Sequence, residues 1–131
     1  MTTPQPATLA DLLAAQRGNK YGAIKAESPA FPRVVFASKH ELVIAEGLRA
    51  REMAGEIRDL RLQVAFDLIV NGVRIGQYVS DFTYQERQGP PALDLWIDVV
   101  ADAKSKPTKT AVYRLKKRLL KALYSIEVVE L

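Results

Sequence analysis

Residues 62–84 read LQVAFDLIVNGVRIGQYVSDFTY, and the fold turns on how they are taken. Leu62 to Val70 alternates apolar and polar side chains well enough for a strand, and Asn71-Gly72 is the strongest short-range hairpin signal a sequence offers. A second strand is therefore expected from Val73 to about Tyr84. Working outward, Gln85 to Ala92 is a loop by its glycine and paired prolines, and a third strand follows from about Leu93 to Ala103. Thr108 then caps a helix to Leu123, with Val112, Leu115, Leu119 and Leu123 as its apolar face and Arg114, Lys117, Arg118 and Lys121 opposite. Ile126 to Leu131 is a last short strand.

Upstream of the hairpin, Ser38-Lys39-His40-Glu41 fits a capping box, in which the serine and the glutamate three residues on satisfy each other's free amides. Leu42, Ala45 and Leu48 give that helix an apolar face, and Gly55 is its natural stop. The segment from Lys20 to Arg33 carries Gly22, Pro29 and Pro32 and reads as an irregular lead-in, with one short strand around Val34 to Phe36. The first seven residues are polar and proline-bearing, after which Thr8 can cap a short helix to about Gln16. The expected organisation is an N-terminal tail and short helix over residues 1–18 and a single domain over 19–131. The element order is helix, three strands, helix, strand, an α/β layered domain with a mixed central sheet flanked by helices.

Composition narrows the chemistry. No cysteine is present, which removes disulfides, thiolate zinc sites and cysteine nucleophiles, and a single histidine, His40, leaves little for a histidine triad or metal site. Carboxylates, lysines and hydroxyls must carry any reaction. No apolar run approaches a membrane span, and the N-terminus lacks a secretory pattern, so a cytoplasmic protein is expected. The net charge of +4 suits a polyanionic partner, and its distribution is uneven. Between Asp102 and Glu127 no acidic residue occurs, while eight lysines and arginines fall there.

Within the third strand, alternation puts Ile97, Val99, Ala101 and Ala103 on one dry side and Trp96, Asp98, Val100, Asp102 and Lys104 on the other. Asp102 and Lys104 thus point the same way. The preceding strand sets Asp81 among apolar and aromatic residues, an expensive place for an unpaired charge. If the two strands pair, two carboxylates and one ammonium converge. Two such carboxylates suit a hard cation, Mg²⁺ or Mn²⁺, and a lysine beside them can orient water and stabilise charge growing on a phosphate.

Asp81, then Asp102-Ala103-Lys104, with Glu41 on a preceding helix, resembles the PD-(D/E)xK nuclease pattern, and the expected αβββαβ order resembles the core of that superfamily, the restriction-endonuclease-like fold. More narrowly, the run of Asn19-Lys20-Tyr21-Gly22, Phe36 to Glu41, Gly55 to Leu60, Tyr78 to Tyr84 and Val99 to Lys104 is similar to a small phage and prophage domain family to which no function is assigned. The likeness covers residues 19–131. It implies a metal-dependent phosphodiesterase acting on DNA, with Asp81 and Asp102 as ligands of Mg²⁺ or Mn²⁺, Lys104 placing the attacking water and Glu41 completing the metal shell or its second sphere. Ala101 departs from the pattern where an acidic residue is frequent, and Ser105 where a glycine usually follows the lysine.

Plainer explanations stand beside these. Glu41 is accounted for by the capping box, and Asp102 with Lys104 by an ion pair at a sheet edge. Asp98 reads as solvated and as a spare ligand; His40 reads as an exposed helix residue, Trp96 as packing. Lys106 and Lys109 follow Lys104 at the start of the last helix, where free amides favour anions, and are expected to contact phosphate, with Tyr113 and Lys116 reaching the same groove. Arg118 and Lys121 read as a solvated face. The expected function is DNA cleavage, structure-selective rather than site-specific because so small a domain has little surface for sequence readout. A homodimer through Leu12 and Leu13 and a phage or host protein partner are further expectations, and the rival function is a DNA-binding or protein-interaction accessory that kept the fold without its chemistry.

Overall fold

The structure is a computed structural model that describes residues 26–103 and 110–131. The chain separates into two compact units, Met1–Val43 and Ile44–Leu131. The expected helix from Thr8 to Gln16 lies outside the described residues.

In the first unit, β1 (Ala26–Ser28) and β2 (Phe31–Phe36) form an antiparallel hairpin rather than the single strand expected around Val34. Phe31 and Phe36 meet edge to face, with ring centroids 5.5 Å apart, and both are buried. Helix α1 (Lys39–Met53) starts where the capping motif places it: the Glu41 N–H donates to Ser38 Oγ at 3.1 Å.

The second unit holds a four-stranded mixed sheet. Strand β3 (Ile57–Val70) pairs antiparallel with β4 (Val73–Gln88), β4 antiparallel with β5 (Leu95–Asp102), and β5 parallel with β6 (Val128–Glu130), in the order β3-β4-β5-β6. Helix α2 (Ala111–Tyr124) makes the crossover that a parallel pair requires. The hairpin closes at Val70↔Val73, with Asn71 at φ 50° and Gly72 at φ 79°, the left-handed pair that a two-residue turn demands. Both strands run longer than the alternation suggested. At the α1–β3 corner, Arg51 bridges Glu56 and Glu86 at 3.1 and 2.6 Å, and the Leu60 N–H donates to Glu52 at 3.2 Å.

Three expectations are corrected here. The α2 cap is Thr110, whose hydroxyl accepts from the Tyr113 N–H at 3.1 Å, so the helix begins later than an N-cap at Thr108 would set it. The side of α2 that turns inward is only in part the Val112, Leu115, Leu119, Leu123 stripe, of which Leu119 packs against the core. Leu120 is fully buried in a core with Leu68, Tyr78, Val100 and Val128, while Val112 and Leu115 are more than half exposed. Finally, β5 does not divide into a dry and a wet side. It is exposed at Leu95 and Ile97 and buried at Val100, Ala101 and Asp102, because β6 and α2 close over its C-terminal end.

A buried aspartate pair where two strands part

The β4–β5 ladder ends at Phe82↔Ala101. On the other side of β4, the β3 register passes from Leu62↔Phe82 to Val64↔Ser80 with no rung at Gln63, whose φ of 55° lies in the left-handed region. A non-glycine residue held there costs roughly 1–2 kcal/mol. Across from it on β4 stands Asp81. Its N–H donates to Asp102 Oδ1 at 2.8 Å, and its own Oδ2 accepts the Ala103 N–H at 2.9 Å. Each aspartate therefore stands in for a backbone rung of the facing strand. Gln63 Nε2 reaches back across the kink to Asp81 Oδ1 at 3.3 Å.

Asp102 is fully buried. Besides the Asp81 amide it accepts from the hydroxyls of Tyr78, in a short hydrogen bond, and Tyr113, at 3.3 Å, both on Oδ2. Its main-chain carbonyl accepts the Leu131 N–H at 2.8 Å. The Tyr113 oxygen also lies 3.0 Å from Glu130 Oε2, and Lys117 Nζ donates to that same oxygen at 3.0 Å. A polar chain thus runs from the buried carboxylate through a phenol to an ion pair at the surface. Burial raises the phenol of Tyr78 far above the ordinary range, helped by its bond to Asp102. Burial likewise raises Tyr113, the charge of Asp102 adding to it while the Tyr78 hydrogen bond works against it. Both remain proton donors wherever the protein is folded.

Of the four residues expected to do chemistry, the structure brings Asp81 and Asp102 together. Glu41 belongs to the first unit, on the first turn of α1, and Lys104 lies outside the described residues, as do Lys106 and Lys109. Tyr113 joins the site through its hydroxyl, and Lys116, its Cε 3.9 Å from where a side chain on Gly76 would start, lines one hollow with Tyr113, Tyr78, Gln77, Val79 and Val112. Asp98 is exposed and accepts from Gln85 at 3.1 Å. Trp96 lies against two guanidinium groups, Arg58 at 4.2 Å and Arg87 at 4.4 Å, a packing role. Sequence reading missed Tyr78, Gln63 and Glu130, none of which carries a local signal, since each reaches its partner across strands.

Among the described residues no three acidic or histidine side chains gather into a metal-holding group. Two carboxylates are nevertheless a sufficient protein contribution for Mg²⁺, which takes its remaining ligands from water and substrate phosphate. A carboxylate offers about four lone-pair directions, more than the donors just named occupy on Asp102. The donor set, all hard oxygen, fits Mg²⁺ or Mn²⁺ and suits no soft metal.

What the fold and site define is a mixed α/β domain built around paired, buried aspartates. No protein-family model, no curated protein and no solved structure matches the chain. Among the described residues no helix is long and apolar enough to cross a membrane.

Proposed function

We propose that this chain is a metal-dependent endonuclease that hydrolyses DNA phosphodiester bonds, a phage-type member of the PD-(D/E)xK class. The observation that carries the reading is the reciprocal bonding of Asp81 and Asp102 across β4 and β5, with Lys104 two residues beyond Asp102. The succession α1, β3, β4, β5, α2, β6 supports it, being the αβββαβ order of that class. Mg²⁺ or Mn²⁺ held by Asp81 and Asp102 would supply a Lewis acid for the phosphate. The chain's own residues hold the carboxylates still. Tyr78, Tyr113 and two backbone amides fix their rotamers. Lys104 orients the attacking water and meets the charge that grows on the phosphate.

One observation favours a second reading, a nuclease-fold accessory protein that binds DNA or protein without cutting. The donors on Asp102 already satisfy it without a cation, and Ala101 contributes no further carboxylate. Incubation with supercoiled, single-stranded and branched DNA separates the two. Cleavage that requires Mg²⁺ or Mn²⁺, stops with EDTA and disappears in Asp81→Asn and Lys104→Ala is expected. Cutting that survives both EDTA and Lys104→Ala overturns the mechanism, and salt-sensitive binding with no cutting selects the accessory.

A further inference from the structure

Between α2 and β6 runs a cleft of about 560 Å³ lined by Arg114, Lys117, Arg118 and Lys121 from the helix, with Tyr113 and, from the strand side, Ile126, Glu127, Val128 and Glu130. Its charge is not balanced. Lys117 pairs with Glu130 and Lys121 with Glu127, but Arg114 and Arg118 have no acidic partner among the described residues. They stand four residues apart, one helical turn of about 6 Å along the axis, and both open on the cleft. Ile126, Val128 and Tyr113 give the same cleft an apolar and aromatic lining.

From this cleft we infer a track for a single nucleic-acid strand, its phosphates on Arg114 and Arg118 and its sugars and bases against Tyr113, Ile126 and Val128. Planar guanidinium forks match phosphate oxygens in pairs, and a basic groove with an aromatic wall is the general solution for holding a strand without reading its sequence. The cleft is coupled to the aspartates by a lining residue, since the Tyr113 oxygen touches both Asp102 and Glu130. The ligand class rests on the proposed function, but the track itself needs no turnover and serves the accessory reading equally. An acidic peptide and an anionic membrane are the competing occupants.

The experiment is fluorescence anisotropy of the full chain with a labelled single-stranded oligonucleotide, in EDTA so that cutting cannot intervene, over a series of salt concentrations. Each arginine that no longer meets a phosphate lowers the slope of log K against log salt by about 0.7 for single strands, so Arg114→Gln with Arg118→Gln should flatten it by about 1.4. Glu127→Gln, which releases Lys121, should tighten binding and steepen the slope by up to about 0.7, an outcome no misfolded variant can produce. Arg74→Gln on the hairpin, where the arginine pairs with Asp67, should change neither. An unchanged slope in the double variant overturns the track. So does tighter binding of a glutamate-rich peptide or of phosphatidylglycerol vesicles that the double variant loses. Absence of DNA cleavage by the wild type, alongside a slope that flattens in the double variant, would overturn the catalytic reading and leave the track standing.

Discussion

Three donors converge on the carboxylate of Asp102, and what they would do without it sets the cost of removing it. In Asp102→Ala the Asp81 amide and the Tyr78 hydroxyl lose their acceptor inside the core, while Tyr113 keeps Glu130. Each orphaned buried donor costs about 1–3 kcal/mol, so a loss of roughly 3 kcal/mol or more is expected in urea unfolding. A loss below about 1 kcal/mol would mean that the carboxylate does not hold the strands. The phenols make a second prediction. Tyr78, Tyr84 and Tyr113 all have raised ionisation, with burial the largest cause in each. A group raised on folding stabilises fully below its unfolded value, about 10 for tyrosine, and that contribution is lost as pH rises beyond it. Stability should therefore hold to about pH 9.5 and then fall, and Tyr78→Phe should make the fall shallower by about 1.4 kcal/mol per pH unit. Phenolate absorbance should show Tyr78 and Tyr113 ionising only as the chain unfolds.

For the elements, the test falls on α2. Leu120 is fully buried and Leu115 is 55% exposed, so truncation should separate them: Leu120→Ala should cost about 2–5 kcal/mol and Leu115→Ala within about 0.5 kcal/mol. The reverse ranking would restore the stripe that periodicity suggested. Why that stripe misled is instructive. Spacing identifies a helix and its apolar side, but α2 packs on the sheet through Leu120, with Tyr113 and Leu119 beside it, and the choice belongs to the partner surface rather than to the helix. Local signals did better. Asn71-Gly72 and Ser38 work within a few residues of themselves, so the hairpin and the α1 cap could be read directly from the chain. The aspartate pair was half legible: two charges in apolar strands announced a constraint, and parity placed Asp102 on a side with Lys104. Nothing in the chain announced that Tyr78, 24 residues earlier, would donate to Asp102, nor that the Asp81 amide would. Those partners exist only once the strands are paired, and they make the aspartates a fastening between β4 and β5.

For the whole molecule, the question is whether the fastening and a metal site are the same feature. A cation that binds the folded chain and not the unfolded one stabilises it by mass action, about 2.7 kcal/mol at a hundred times its dissociation constant. For a chain of 131 residues that corresponds to a rise in Tm of about 10 °C. The net charge of +4 works against unspecific cation binding, so a rise that appears with millimolar Mg²⁺ or Mn²⁺ and not with matched ionic strength from NaCl points to a formed site. Asp81→Asn is the discriminating variant. The amide oxygen can still accept the Ala103 N–H, so the strands remain fastened, while the charge a hard cation needs is gone. If Asp81 and Asp102 hold metal, wild type should shift and Asp81→Asn should not, both starting from similar stability. A shift of equal size in both would place the cation elsewhere, and no shift in either would leave the aspartates as structural acceptors and the chain as a binding domain.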